Sequence, residues 1–204
     1  MSKYYYHGVK RGPVLDKALE ILKKGAIVCI PSFRKIGFNG SEYVSICTKE
    51  PEEEYRNHSN NGFYNYVQNR ICFIISDEID AIKPEIIENA DKWNRFELIG
   101  YMNSKPGTRF SDMFDEWQVY RQVSLSSIVA LGIPYRDLDT ILTKTLSDNG
   151  KEVLNEIIAC AEALGLDIVD SSDPEFVKKY EEKKQAFSSI SSIKILSLIG
   201  TKHE

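Results

Sequence analysis

Two short segments that lie far apart in the sequence place the strongest limit on how this chain folds. The first is Tyr4–Gly8 (YYYHG) at the start, and the second is Asp115–Tyr120 (DEWQVY) just past the middle. Both have the aromatic and β-branched composition of strands. Each also carries one polar residue that a strand does not require, His7 in the first and Glu116 in the second. If the two strands are neighbours, these side chains form a site.

The composition is that of a folded and mildly acidic protein. The chain has 204 residues, of which 42% are hydrophobic and 11% aromatic, so it is long enough to bury a core and too apolar to be disordered throughout. The formal net charge of −4 disfavours a surface built for non-specific nucleic-acid binding, although a local basic groove is compatible with it. We expect one domain, or one domain with a helical appendage.

The cysteines and histidines do not form a metal-binding pattern. The four cysteines lack a C-x-x-C spacing and there are only three histidines, so no metal is expected. A disulfide framework is not needed at this length, which favours a reducing compartment. No apolar stretch approaches a membrane span, and the first residues lack the apolar region of a signal peptide. We expect a cytoplasmic protein, or an effector delivered by a non-classical route, with no membrane partner.

Apolar periodicity predicts a β-rich first part and a helical second part. Alternating or continuous apolar runs predict strands, and apolar residues at i, i+3, i+4 and i+7 predict helices. The predicted strands cover 3–8, 26–30, 43–47, 71–75, 116–123 and 128–133, and the predicted helices cover 15–22, 137–146, 151–164 and 174–187. Gly25 is expected to end the first helix. We predict a β-rich region over 1–135 and a helical C-terminal segment over 136–204 that packs on it.

Two long polar segments interrupt the strands. Residues 49–70 show no sustained apolar period and are predicted to form a long loop. A second loop, residues 103–115, leads directly into the strand with Glu116 and carries Phe110 and Phe114. Loops of this length commonly carry function. Both are therefore candidates for contact with a ligand or partner.

The order of these elements is similar to that of a known family. A strand ending in His-Gly is followed by a helix, a strand with Tyr and Ser, a further strand, a long loop, a Glu-led strand and a final strand. This order resembles the His–Tyr–Glu branch of the ADP-ribosyltransferase family, which includes the poly-ADP-ribose polymerases and diphtheria toxin. It also resembles the DNA-modifying toxins of that superfamily and the NAD-dependent RNA 2′-phosphotransferases. The closest local likeness lies in 115–119 and 123–134, which look like the ending of several members, a glutamate and strand, then Pro-Leu-x-x-Ile and a strand.

The resemblance covers roughly residues 3–135 and implies a fold and a catalytic domain. The fold would be α+β, a split antiparallel β-sandwich of two small sheets with helices packed around it. Residues 1–135 would form the ADP-ribosyltransferase-like catalytic domain, and the helical C-terminal segment would pack on it.

The resemblance also implies roles for individual residues. His7 would hydrogen-bond a ribose hydroxyl of NAD, and the backbone of Gly8 would lie close to the nicotinamide amide. Tyr43 would stack on the nicotinamide ring, and Ser45 would share its face of the strand as a second cofactor contact. Which of these two side chains faces the cofactor better is left open by the sequence. Glu116 would be the catalytic carboxylate.

The chemistry explains why these residue types are wanted. Cleavage of the bond between nicotinamide and ribose produces an oxocarbenium-like cation, which a carboxylate held nearby stabilises as it forms. Because nicotinamide is already a charged leaving group, neither a general acid nor a metal is implied. The pyrophosphate of NAD needs a cation, and a guanidinium suits it. Among the loop cations Arg11, Arg34, Lys35 and Arg56, we favour Arg34.

The residues around Glu116 bear on the acceptor. Gln118 lies two residues further along the strand and shares its face, and in the family such positions help to orient the acceptor. The Glu-x-Gln pattern departs from the Glu-x-Glu and Gln-x-Glu pairs of many arginine- or asparagine-modifying toxins, which disfavours arginine as the acceptor. Phe110 and Phe114 lie where related enzymes carry a target-recognition loop.

Several functions stay open at this point. The leading hypothesis is an NAD-dependent ADP-ribosyltransferase that releases nicotinamide and modifies a macromolecule, expected to be protein. The same residues would serve an NAD glycohydrolase or a transferase acting on nucleic acid. A hypothesis from another class is a non-enzymatic protein-interaction module, with the charged run 178–184 as a docking surface.

Overall fold

The fold is built from the strands and helices of the described residues. The computed structural model describes residues 4–9, 12–29, 43–49, 62–83, 97 and 115–187. The strands are β1 (Tyr4–Gly8), β2 (Ala26–Val28), β3 (Tyr43–Cys47), β4 (Cys72–Ser76), β5 (Ala81–Ile82), β6 (Glu116–Tyr120), β7 (Gln122–Ser124), β8 (Ile128–Ile133) and β9 (Asp167–Asp170). The helices are α1 (Val14–Lys24), α2 (Gly62–Tyr66), α3 (Leu138–Leu142), α4 (Gly150–Ala163) and α5 (176–187).

Seven of the strands form one mixed sheet. Its order is β5-β6-β3-β1-β4-β8-β9, and all neighbours are antiparallel except β8 and β9, which are parallel. The other two strands, β2 and β7, form a separate antiparallel ribbon. The predicted α+β class is therefore confirmed. The arrangement differs from the expected pair of small sheets, because a strand pair at the centre joins the two halves.

The junction between the two halves of the sheet is narrow. On one side of it β1 pairs with β4 over the whole length from Tyr4 to Gly8, and on the other side β3 pairs with β6 from Tyr43 to Cys47. Between the halves, the only pair recorded in the described residues joins Tyr6 to Cys47. The ladder between β1 and β3 thus ends where β1 continues into His7 and Gly8. Those two residues lie beside a stretch in which β1 and β3 are not paired, and this unpaired stretch is called the opening below.

One face of the sheet is covered by α1 and α4. Helix α1 buries Leu15, Ala18 and Leu22 at helical spacing, and it ends at Gly25 in the left-handed conformation (φ 72°), as predicted. These side chains join one buried cluster with residues of α4 and of the sheet, which include Val44, Ile46, Phe73, Ile75, Leu131, Leu154, Ile157 and Ala161. The cluster stabilises the sheet mainly by removing apolar surface from water.

The opposite face is covered by α2 and α5 and is rich in aromatic rings. Phe63 of α2 packs edge-on against Tyr6, with ring centroids 5.0 Å apart. The ring of Phe63 also stacks on Phe176 at 5.8 Å and an interplanar angle of 15°. Tyr180 of α5 lies in the same cluster and contacts Tyr4. This aromatic face borders the strands that carry the candidate site.

The single strand predicted over 116–123 is broken, and that prediction was wrong. Arg121 has a φ of 60°, a left-handed conformation that ends β6 and turns the chain into β7. Strand β7 then leaves the main sheet and pairs with β2. Apolar alternation continues across this corner, so periodicity alone does not reveal it.

Besides β5, for which no strand was predicted, two further elements were missed. Helix α2 lies inside the predicted loop 49–70, of which residues 50–61 lie outside the described part. Strand β9 lies in the C-terminal segment that was predicted to be helical, and it pairs in parallel with β8. Both are too short to show a periodic pattern, and contacts with the rest of the fold determine them.

Within the described ranges, no helix combines the length and the apolar character that crossing a membrane requires.

Candidate active site

The structure brings His7 and Glu116 to the two sides of one strand. Strand β3 lies between β1 and β6 in the sheet, so the two segments are next-nearest neighbours. The hydroxyl of Ser45 on β3 donates a hydrogen bond to Oε1 of Glu116 at 2.7 Å. The Nδ1 atom of His7 lies 2.8 Å from the main-chain oxygen of Ser45. These two contacts link the three residues across three strands, one through the main chain of Ser45 and one through its side chain. Alternation along β1 places His7 with Tyr5 and Val9 on the α1 side of the sheet, so His7 and Glu116 leave their strands on opposite faces.

The register of β3 and β6 accounts for the contact between Ser45 and Glu116. Ser45 lies opposite Gln118 and Cys47 lies opposite Glu116. Because alternate residues share a face, Ser45, Gln118 and Glu116 all point to the face opposite α1, and Ser45 meets Glu116 on the diagonal. Glu116 is completely buried, with a relative exposure of 0%. A carboxylate held in this way is pre-oriented by its neighbour on β3.

The hydrogen bond of His7 determines which ring nitrogen carries the proton. The main-chain oxygen of Ser45 only accepts hydrogen bonds, so Nδ1 of His7 is the donor. In the neutral imidazole the other nitrogen, Nε2, is then an acceptor. A sugar hydroxyl is a suitable donor to such an acceptor. His7 is only half-buried, and it borders the opening beside β3.

Gly8 is required by packing as well as by its place at the opening. A Cβ atom at this position would lie 1.6 Å from the main-chain oxygen of Tyr66, so no other residue fits. The N–H of Val9 donates to Ile71, beside β4. Because main-chain groups alternate in direction along an antiparallel strand, the N–H and C=O of Gly8 face the β3 side instead. The predicted role of Gly8 in binding the cofactor stays a prediction.

Tyr43 lies on the same face as Ser45, at the far end of β3. Its ring contacts the ring of Tyr120 on β6, with centroids 5.5 Å apart. Tyr120 is 49% exposed, and the guanidinium of Arg121 lies 5.0 Å from its ring centroid. The two candidates for the cofactor face, Tyr43 and Ser45, therefore share one face with Glu116 and do not exclude each other.

Gln118 lies in the middle of this face. It is only 2% exposed, and its Oε1 atom is buried without a hydrogen-bond partner among the residues that the structure describes. A buried amide oxygen of this kind favours a ligand that donates a hydrogen bond. The predicted role of Gln118 in orienting an acceptor stays a prediction.

The other predicted site residues lie outside the described residues. They are Arg34, Phe110 and Phe114. Near the candidate site, Arg121 is a described cation, and no ion pair to it occurs within the described ranges. Among the same residues, no group of three or more His, Cys, Asp or Glu side chains is arranged to hold a metal ion.

Asp115 is a residue of the site region that sequence reasoning missed. Its carboxylate is completely buried and accepts hydrogen bonds from the N–H of Gly62 at 2.7 Å and the N–H of Phe63 at 2.9 Å. It therefore holds the start of α2 beside Glu116. Its own main-chain oxygen accepts from Thr48 at the end of β3. A buried Asp directly before the glutamate, with Gly-Phe in a distant polar loop, is a signal too weak to use without the structure.

The burial of Asp115 predicts a dependence of stability on pH. Burial raises the pKa of the Asp115 carboxyl above the ordinary value of 3.8, while the N–H donors and the charge of Lys83 lower it by less. Between the ordinary and the raised pKa, the folded state binds a proton that the unfolded state does not. The contribution of Asp115 to stability therefore increases as the pH falls through that interval.

We expect the free energy of unfolding of the wild type, minus that of Asp115→Asn, to increase as the pH is lowered from about 7 to about 4. Chemical denaturation of both proteins across this range measures it. All other residues are the same in the two proteins, so the difference reports on position 115. A difference that is constant, or that decreases towards acid, would contradict the raised pKa.

No protein-family model, curated protein or solved structure matches this chain. The geometry of the described residues carries the functional proposal.

Proposed function

We propose that this protein is an NAD-dependent ADP-ribosyltransferase that transfers ADP-ribose to a macromolecular acceptor and releases nicotinamide. The observation that carries the proposal is the pair of hydrogen bonds that link His7 and Glu116 to Ser45. These residues come from segments far apart in sequence, and the resemblance assigns all three to one site. We take the acceptor to be a protein, because the net charge of −4 disfavours nucleic acid.

In this proposal Glu116 acts on the charge that develops on the ribose. The bond between the nicotinamide nitrogen and the anomeric carbon breaks, and its electron pair leaves with nicotinamide, which becomes neutral. The carboxylate of Glu116 stabilises the oxocarbenium-like ribose, and its burial strengthens this electrostatic effect. The acceptor nucleophile then bonds to the same carbon and gives its proton to Glu116.

The neighbouring residues bind and orient NAD in the same proposal. Nε2 of His7 accepts a hydrogen bond from a ribose hydroxyl, and the main-chain groups of Gly8 bind the nicotinamide amide. Tyr43 stacks on the nicotinamide ring. Ser45 keeps Oε1 of Glu116 in place through its hydroxyl. Binding and orientation of this kind lower the barrier because the reacting groups meet already aligned.

Transfer of a label from NAD tests the proposal. We expect NAD that is labelled in its adenylate half to label a macromolecule in cell lysate when the purified protein is added. Loss of the labelled band after protease treatment, with survival after nuclease treatment, would support a protein acceptor. The opposite pattern would identify a nucleic-acid acceptor. Absence of any labelled macromolecule, together with intact NAD, would contradict the proposal.

Replacing Ser45 by alanine is expected to lower kcat for nicotinamide release by about tenfold to a hundredfold. The change removes one hydrogen bond to a charged group, which contributes about 1.5–3 kcal/mol, and Oε1 of Glu116 loses the hydroxyl that orients it. Steady-state kinetics of NAD cleavage measures the effect. Ser126→Ala is a suitable control, since Ser126 is exposed and its hydroxyl donates a hydrogen bond to the hydroxyl of Ser124. Equal kcat values for Ser45→Ala and wild type would show that Ser45 does not orient Glu116.

A further inference from the structure

Helix α2 is attached to the sheet beside both proposed catalytic residues. At its start, the N–H groups of Gly62 and Phe63 donate to the two carboxylate oxygens of Asp115, the residue directly before Glu116. This attachment is charge-assisted and completely buried, and such hydrogen bonds are the strong ones. The start of α2 is thus fixed to β6.

The end of α2 packs closely on β1. The main-chain oxygen of Tyr66 lies so close to Gly8 that a Cβ atom there would approach it to 1.6 Å. Gly8 directly follows His7. Between the two ends, the ring of Phe63 packs edge-on against Tyr6 of β1 at 5.0 Å. The residues next to His7 and Glu116 in the sequence therefore hold opposite ends of the same short helix.

The sheet alone connects β1 and β6 weakly. The connection through the sheet runs by way of β3, and among the described residues β3 pairs with β1 only at Tyr6 and Cys47. Two side-chain contacts add to this pair, from Nδ1 of His7 to the main-chain oxygen of Ser45 and from Sγ of Cys47 to the main-chain oxygen of Tyr6. The sheet therefore joins its two halves at this junction by one main-chain pair and two side-chain hydrogen bonds. Helix α2 supplies a second connection across the same opening, so its two attachments constrain the separation of His7 from Glu116.

We propose that α2 is a brace that sets the distance between His7 and Glu116, with Asp115 as a positioning residue at one end and the close contact between Tyr66 and Gly8 at the other. The inference rests on the proposed function for its catalytic consequence, because the brace aligns the residue that binds ribose with the carboxylate that stabilises its charge. The structural part of the proposal is that α2 constrains the β1–β3 junction, and it does not depend on any activity.

Two substitutions release the brace at opposite ends. Asp115→Asn keeps the shape of the side chain, but it directs an amide N–H₂ at one of the two N–H donors of α2. Gly8→Ala forces Tyr66 away from β1. Matched controls lie at the start of α4, far from this opening in the sequence. Asn149→Ala removes a helix cap there, and Gly150→Ala places a Cβ 2.2 Å from the main-chain oxygen of Leu142.

The expected catalytic result is a loss in kcat for nicotinamide release of about a hundredfold in each brace variant, the scale of a small misplacement of reacting groups. The two control variants are compared with the brace variants at a similar decrease in Tm, and they retain the wild-type kcat. Because either change detaches the same helix, the double variant Asp115→Asn with Gly8→Ala is expected to be no slower than the slower single variant. If the loss of kcat in the double variant equals the product of the two single losses, the brace is overturned. If Gly8→Ala does not fold, a comparison of kcat between Asp115→Asn and Asn149→Ala decides whether α2 is a brace.

Amide hydrogen exchange tests the brace without any activity. In Asp115→Asn we expect exchange to rise by about tenfold or more at Gly62 and Phe63, and also at the junction residues Tyr6 and Cys47. The controls leave these amides at wild-type rates. Faster exchange in α2 with an unchanged junction would overturn the proposal. If wild-type protein fails to cleave NAD, the proposed function is wrong, while the exchange rates at the junction still decide whether α2 is a brace.

Discussion

Glu116→Gln is expected to slow the release of nicotinamide from NAD by about a hundredfold to a thousandfold, the effect of losing a preorganised electrostatic contact to a transition state. The substitution removes the negative charge and little else. The amide oxygen of glutamine still accepts the hydrogen bond that Ser45 donates to Oε1. The fold and the affinity for NAD should therefore persist, and the loss should appear in kcat.

Glu156→Gln is the matched control for this prediction. Glu156 lies half-exposed on α4 and forms a surface ion pair with Lys23, a kind of contact that contributes little to stability. The Glu156→Gln variant should cleave NAD at the wild-type rate. Steady-state kinetics and thermal unfolding of the three proteins would be compared. A Glu116→Gln variant that is folded and cleaves NAD at the wild-type rate would show that Glu116 does not act on the reacting ribose.

His7→Asn is expected to raise KM for NAD by about tenfold to a hundredfold, the effect of one lost hydrogen bond to a ligand. The asparagine amide places a donor where Nδ1 of His7 lies, so the hydrogen bond to the main-chain oxygen of Ser45 is kept. It has no counterpart to Nε2, so the proposed contact with the ribose hydroxyl is lost. Binding should weaken while the opening beside β3 stays intact.

His7→Ala provides the comparison that separates structure from binding. Alanine lacks both the hydrogen bond to Ser45 and the proposed contact with ribose, so it should lower Tm as well as raise KM. His7→Asn should raise KM with a Tm close to that of the wild type. An unchanged KM in His7→Asn, with a raised KM in His7→Ala, would assign His7 a purely structural role.

The strands that carry the site were predictable because each is long enough for its composition to show. The predicted strand Tyr43–Cys47 and the predicted strand over 128–133 have the bounds that the structure gives. Strand β1 covers Tyr4–Gly8 of the predicted strand 3–8, and Lys3 lies outside the described residues. Helices α1 and α4 follow from apolar residues at helical spacing. In all of these elements, local pattern and tertiary burial agree.

The connections between the strands were not predictable in the same way. The corner at Arg121 depends on a left-handed backbone conformation, which the sequence does not indicate because the residue is not a glycine. Helix α2 has five residues and depends on the carboxylate of Asp115, which lies far away in the sequence. The narrow junction between β1 and β3 depends on where their pairing stops, and the periodicity of apolar residues does not indicate that position.

The placement of His7 and Glu116 on the two sides of β3 was predictable only as a hypothesis. Sequence pattern places each residue in a strand, but it does not order the strands in a sheet. The structure supplies that order, and Ser45 as the link between them. The packing role of Gly8 was also hidden, since the residue that demands a glycine there is Tyr66, in a segment with no strong pattern of its own.

Release of free nicotinamide from NAD by the purified wild-type protein, with and without cell lysate, tests the central claim most directly. We predict release that rises when lysate supplies an acceptor. Release that is unaffected by lysate would indicate that water takes the place of the acceptor and that the protein is an NAD glycohydrolase. No release under either condition, with no binding of NAD by calorimetry, would contradict an NAD site at His7, Ser45 and Glu116.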